Sequence, residues 1–227
     1  MAIIKLEHIY YKHDSLYEKT REALKNKPEA LSQIYFLTGS SQDNVQELTS
    51  TVLKHLSKKF KIRAILLQTF HHAIHNRYNE ARDLIMKAHF GQTIADQPTA
   101  VQIIYNRAIV QIGLSAFRLG LFNECNQVLV DVCQSPKLKE SLAQGTSNFR
   151  QQQEKTREEE DEEKKRFIPP HLQINLEVID CVYMTTSLLL EVPNISENKF
   201  NISKNVISRN FRKLIEQYDM KGMQFVA

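Results

Sequence analysis

Apolar residues along this chain recur with the 3.6-residue period of a helix. Val45, Leu48, Val52, Leu53 and Leu56 mark one amphipathic run over 45–60. Earlier, Asp14 and Ser15 are placed to cap a helix beginning near Leu16, and Pro28 suits the start of another carrying Ala30, Leu31, Ile34 and Tyr35. The segment LTGSSQDN (37–44) reads as a turn rich in capping residues. Further on, helices are expected over 64–76, from Leu172 to about Leu190 with Pro193 as its stop, and from Ser203 to Tyr218.

The middle of the chain repeats itself. Tyr78-Asn79-Glu80-Ala81 returns as Phe122-Asn123-Glu124-Cys125, 44 positions later, and the echo continues as Leu84/Val128, Ile85/Leu129 and Ala88/Val132. Each copy follows another helical run, so each unit is a helix–turn–helix, at a period typical of helical solenoids. Tyr78, Ala81, Leu84, Phe122, Cys125 and Val128 are therefore expected to pack the repeats together, with the two aromatics locking each hairpin.

The helix around 99–120 is apolar on two sides. Val101, Ile104, Tyr105, Ala108, Ile112 and Leu119 form one stripe; Ile103, Val110, Leu114 and Phe117 form the other. Such a helix must be covered twice, as in the inside of a stack, and Ala108, Gly113, Ser115 and Ala116 let neighbours approach closely. The expected fold is all-α, a TPR- or HEAT-like solenoid of stacked helical hairpins. Its parts would be N-terminal helices over 1–62, two repeats over 63–136, a charged helix extension or linker over 137–166, and C-terminal helices over 167–227.

Composition agrees with this picture. With 6 Gly and 6 Pro in 227 residues there is little material for strands and tight turns. The net charge of +4 is mild for a protein whose main business is nucleic acid. From Arg150 to Arg166 the run RQQQEKTREEEDEEKKR has 6 basic and 7 acidic side chains and no apolar anchor; it reads as solvated, and Phe167-Ile-Pro-Pro170 ends it. Cys125, Cys133 and Cys181 lack CxxC spacing and read as buried free thiols of a reducing, cytoplasmic compartment. No stretch is long and apolar enough to span a membrane, so no membrane partner is expected.

Candidate chemistry is sparse. His71 and His75 share a helix face, but HHAIH lacks the Glu of a zincin helix and His89 is a weak third ligand, so no metal is expected. Neither GxSxG nor a phosphate-cradling Gly loop occurs; no catalytic residue, enzyme activity or cofactor is assigned. The basic segment KHLSKKFKIR concentrates Lys54, Lys58, Lys59, Lys61 and Arg63 near an expected helix end. These cations either contact RNA phosphates or complement the negative end of a helix dipole. Arg209, Arg212, Lys213 and Lys221 form a looser group.

Three segments, HHAIHNRYNEARDLIMKAH (71–89), VQIIYNRAIVQIGLSAFRLGL (101–121) and FIPPHLQINLEVIDCVYMTTSLLLEVPNIS (167–196), closely resemble the C-subunit family of eukaryotic translation initiation factor 3, joined by KLEHIYYKHD (5–14). The resemblance implies the helical-repeat part of a PCI module that leads into a winged helix. It also implies partners: the other subunits of initiation factor 3, the small ribosomal subunit with its RNA, and further initiation factors recruited through an N-terminal extension. Neither that extension nor a winged helix is recognisable here, so a fragment is expected. Other readings are a scaffold subunit of a proteasome-lid or signalosome PCI complex, and an RNA-binding helical module.

Overall fold

The computed structural model describes residues 1–25, 39–145 except 134 and 136, 167–197, and the single positions 213 and 216. The expected helix near Pro28, the charged run 150–166 and, but for positions 213 and 216, the expected helix over Ser203–Tyr218 lie outside the described residues. The described residues are helical and contain no strand.

Among the described residues ten α-helices follow one another: α1 (Ala2–Ile9), α2 (Asp14–Ala23), α3 (Ser41–His55), α4 (Lys58–Ile74), α5 (Tyr78–Lys87), the single turn α6 (Phe90–Thr93), α7 (Thr99–Arg118), α8 (Phe122–Cys133), the single turn α9 (Leu138–Ser141) and α10 (Leu176–Glu197). The helices stack in order. α1 lies on α3 and α4, α3 on α4, α4 on both α5 and α7, and α8 lies between α7 and α10. One core runs through the stack, from Leu6 and Ile9 through Val52, Phe70, Ala108 and Leu129 to Ile179 and Tyr183. The fold is thus the all-α helical-repeat array expected from the periodicity.

The sequence echo is also an echo of geometry. Asn76 (φ 59°) and Gly120 (φ 76°) are left-handed, and they stand 44 residues apart. In each turn the next backbone N–H reaches back five residues: Arg77 to the His72 carbonyl and Leu121 to the Ala116 carbonyl, both at 2.9 Å. This closure ends the first helix and launches the second. Arg118 ties the two turns together by donating to the Ala73 carbonyl (2.9 Å) and to the Asn76 side chain.

Several local expectations are corrected. The cap of α2 is His13, whose ring accepts from the Ser15 N–H; Asp14 is instead bonded by Ser41 and faces His75. The helix expected over 45–60 breaks at Leu56 and Ser57, and Ser40 caps its start by accepting from the Asp43 N–H. Leu119 lies past the end of α7 and is exposed. The helix expected from Leu172 starts at Leu176, with the Asn175 side chain accepting from the Glu177 N–H. It runs through Pro193 rather than stopping there. A proline removes one backbone donor, and the intact turns before and after it carry the helix on. Cys125 is buried as expected, Cys133 half-buried, and Cys181 exposed on α10.

Candidate partner-binding surface

The six residues expected to pack the repeats lie on the second helix of each hairpin, α5 and α8. Tyr78, Ala81 and Cys125 are buried, and Leu84, Phe122 and Val128 are half-buried. Phe122 meets Phe117 edge-on at 5.8 Å between ring centres, closing the second hairpin. The Cys125 thiol lies 3.5 Å from the Thr186 hydroxyl of α10. Gly113 explains how close α7 and α8 come: a Cβ there would sit 2.5 Å from Leu129 Cδ2.

The basic cluster divides. Lys54 is in the last turn of α3, where a cation complements the helix dipole. Lys58, Lys59, Lys61 and Arg63 instead open α4, at the positive end of its dipole. Local helix electrostatics therefore oppose Lys58 and Lys59 in the first turn, and stabilisation of a helix C-terminus accounts for none of the four. Lys54, Lys58 and Lys59 are exposed; Lys61 and Arg63 are half-buried. Arg63 is already held, with Nε 2.8 Å from Glu7 of α1.

The histidines form a buried polar seam instead of an open site. His71 donates Nδ1–H to the Tyr10 carbonyl (3.2 Å), and its Nε2 faces the Ser41 hydroxyl at 3.4 Å. His75 donates Nδ1–H to the His71 carbonyl at 2.8 Å, and its Nε2 lies 3.2 Å from Asp14. The His13 ring stacks on His75. Burial, then the neighbouring His75, pulls the His71 pKa down to about 3 against the pull of the Tyr10 carbonyl. Burial also lowers His72, which faces Glu80 at 3.0 Å, and His75, although both ring nitrogens of His75 face acceptors. Neutral His71 thus joins α4 to the end of α1 and to α3, while the His75 ring packs against His13 and Asp14 at the start of α2. His89, the weak third ligand, is a left-handed residue past the end of α5. Among the described residues no three His, Cys, Asp or Glu side chains converge as a metal site would require.

Two exposed features remain. Val178, Leu188, Leu189 and Val192 form an exposed apolar stripe along α10. Elsewhere, α1, α4, α7 and the segment 168–172 enclose a groove of about 690 Å³. Buried Arg107 forms part of its wall. The chain pattern alone does not single out Arg107 as functional. Its signal is a charged residue inside a helix apolar on two sides, which must be either a defect or a bound strut.

Comparison with known proteins assigns the ancestry of this stack. Residues 1–202 match the family described as the N-terminus of eukaryotic translation initiation factor 3 subunit 8. The chain belongs to that family. It is 35% identical over 220 residues to the initiation factor 3 C subunit of Culex quinquefasciatus, covering 96% of this chain and 23% of the relative. The C subunits of Lodderomyces elongisporus and Yarrowia lipolytica are 37% and 32% identical, again over 96% of this chain and 26% and 27% of their own length. The chain spans about a quarter of the length of these relatives. Within the family match lie both hairpins, the histidine seam, the groove and α10.

Proposed function

We propose that this chain is a non-catalytic scaffold segment of translation initiation factor 3. It would support assembly of the complex with the other subunits and, through them, binding to the small ribosomal subunit. Family membership supports the assembly. The observation that carries the scaffold role is the exposed apolar stripe of α10, the last of the described helices in a stack whose inner helices are covered on both sides. Wide helical faces of this kind bind through a few apolar anchors and make or break no bond. The polar groups that would suit catalysis, such as Ser41 and His71, are sealed in the core. Copurification of the tagged chain with initiation factor 3 subunits and small ribosomal subunits is the expected result; recovery of proteasome-lid or signalosome subunits in their place would sink the reading.

A second reading rests on Lys58, Lys59 and Lys61. They project from the start of α4, where they bring that helix no dipole stabilisation, and so are available to phosphates. Reversing all three charges is expected to weaken RNA binding and flatten its dependence on salt. An unmodified chain with no salt-dependent RNA binding disposes of this second reading.

A further inference from the structure

We infer that the groove between α1, α4, α7 and residues 168–172 is a docking site for an acidic, partly apolar peptide segment of another protein, with a carboxylate of the guest meeting the Arg107 guanidinium. The site deepens the scaffold reading above and rests on it, since it specifies one partner contact.

The case starts with Arg107. Its residue is only 2% exposed, yet among the described residues the interactions around it include no carboxylate. One nitrogen donates to the Leu172 carbonyl, the guanidinium lies 5.5 Å from the Phe70 ring centre, and the Tyr10 hydroxyl is near. Its Nη1 has no hydrogen-bond partner among the described residues. Burying a cation without a counter-charge is expensive, and leaving a donor unmade adds to the cost. The fold tolerates this beside a groove, and the deficit is of the kind a carboxylate cancels with a paired, planar contact.

The rest of the wall narrows the guest further. Glu7 lines the groove but is committed to Arg63, so it leaves the excess charge positive. Leu67, Ile103, Ile168, Pro169 and Leu172 give the groove an apolar lining, which rewards large aliphatic or aromatic side chains. The volume of about 690 Å³ suits a few residues of a peptide. Nucleic acid suits it less. Phosphate would satisfy Arg107, but ribose and phosphate gain nothing from aliphatic walls. The Tyr11 and His171 rings touch at 58° to each other, with centres 5.9 Å apart, and so do not form a parallel slot for a base.

The test is selection of a phage-displayed random dodecapeptide library on the full 227-residue chain. Enriched peptides are expected to combine Asp or Glu with large apolar residues and to bind the chain in fluorescence titrations. Ala100→Glu, on the exposed first turn of α7 at the groove wall, should weaken them at least tenfold while leaving the fold intact, because an acidic residue suits a helix start. Arg107→Gln, with folding checked by circular dichroism, should remove the preference for acidic peptides. Enrichment of basic peptides, unchanged binding to Ala100→Glu, or no enrichment at all overturns the proposal. So does a twelve-nucleotide RNA that binds and is weakened by Ala100→Glu when no peptide is. Failure of copurification with initiation factor 3 subunits would instead strike the scaffold reading, and the two failures are separable.

Discussion

The two hairpins make the same turn from different chemistry. The α4–α5 turn places Asn76 at φ 59° and buries His71 and His72 in the helix end before it. The α7–α8 turn places Gly120 at φ 76°, and its equivalents 44 residues on are Ser115 and Ala116. Both helix ends are covered, but at the first His71 bonds the Tyr10 carbonyl that ends α1 and faces Ser41 of α3, while at the second α7 and α8 come into close approach at Gly113. One backbone slot therefore accepts either a buried pair of histidines or two small residues, Ser115 and Ala116. The two solutions should fail under different insults.

Acid is the largest test of the difference. Because His71 is held neutral, with a pKa pulled down to about 3, the native state declines a proton that the unfolded chain accepts below about 6.5. The stabilisation is complete above that value and is lost as pH falls towards 3, by up to about 1.4 kcal/mol per pH unit for this one histidine. The lowered values at His72 and His75 act in the same direction. Urea titrations from pH 7 to pH 4 should show the loss, and replacing His71 with Leu should reduce its slope. A stability independent of pH across that range would refute the neutral seam.

In the second hairpin the sensitive quantity is volume. Leu129→Ala is expected to cost about 3 kcal/mol, since its side chain is buried against α7, whereas Leu119→Ala on the surface should stay within about 0.5 kcal/mol. Gly113→Ala should cost about 1–2 kcal/mol despite the helix preference for Ala, because its Cβ collides with Leu129. The double variant is the sharper measurement. Shortening Leu129 frees the space that the new methyl needs, so the double variant should lose clearly less than the sum of the two single losses.

The turns themselves give the smallest effects. Gly120→Ala puts a side chain into a left-handed residue and should cost about 1 kcal/mol. Asn76→Gly keeps the backbone comfortable but removes the acceptor for Arg118, and should cost about 0.5–1 kcal/mol. Thermal unfolding of the two variants side by side would show whether the turns are interchangeable.

The repeat is legible in the sequence because Tyr78/Phe122, Ala81/Cys125 and Leu84/Val128 keep the period of one helix face. The two-sided burial of α7 is legible for the same reason. α4 is harder to read. Its buried residues run around the helix, but they include Thr69, His71 and His72, which look polar until their hydrogen-bond partners are known. The partners of the two histidines, Tyr10, Ser41 and Glu80, come from other elements of the stack, and no local pattern announces them, whereas Thr69 bonds back to Ile65 within α4. The lysine cluster is plain in the sequence, but its place on the helices is not: Leu56 and Ser57 end one helix and begin the next, so most of the cations open α4 instead of closing α3.

Periodicity, scarce glycine and the 44-residue echo thus determined by themselves that the chain is helical and built of stacked hairpins. A helix face depends on spacing along one segment, and spacing is written in the sequence. Tertiary structure alone decided that burial holds His71 neutral, that Arg63 is spent on Glu7, and that Arg107 lies beside a groove with no carboxylate against it among the described residues. Charge state and pairing depend on groups brought together from distant parts of the chain, and those distances exist only once it has folded.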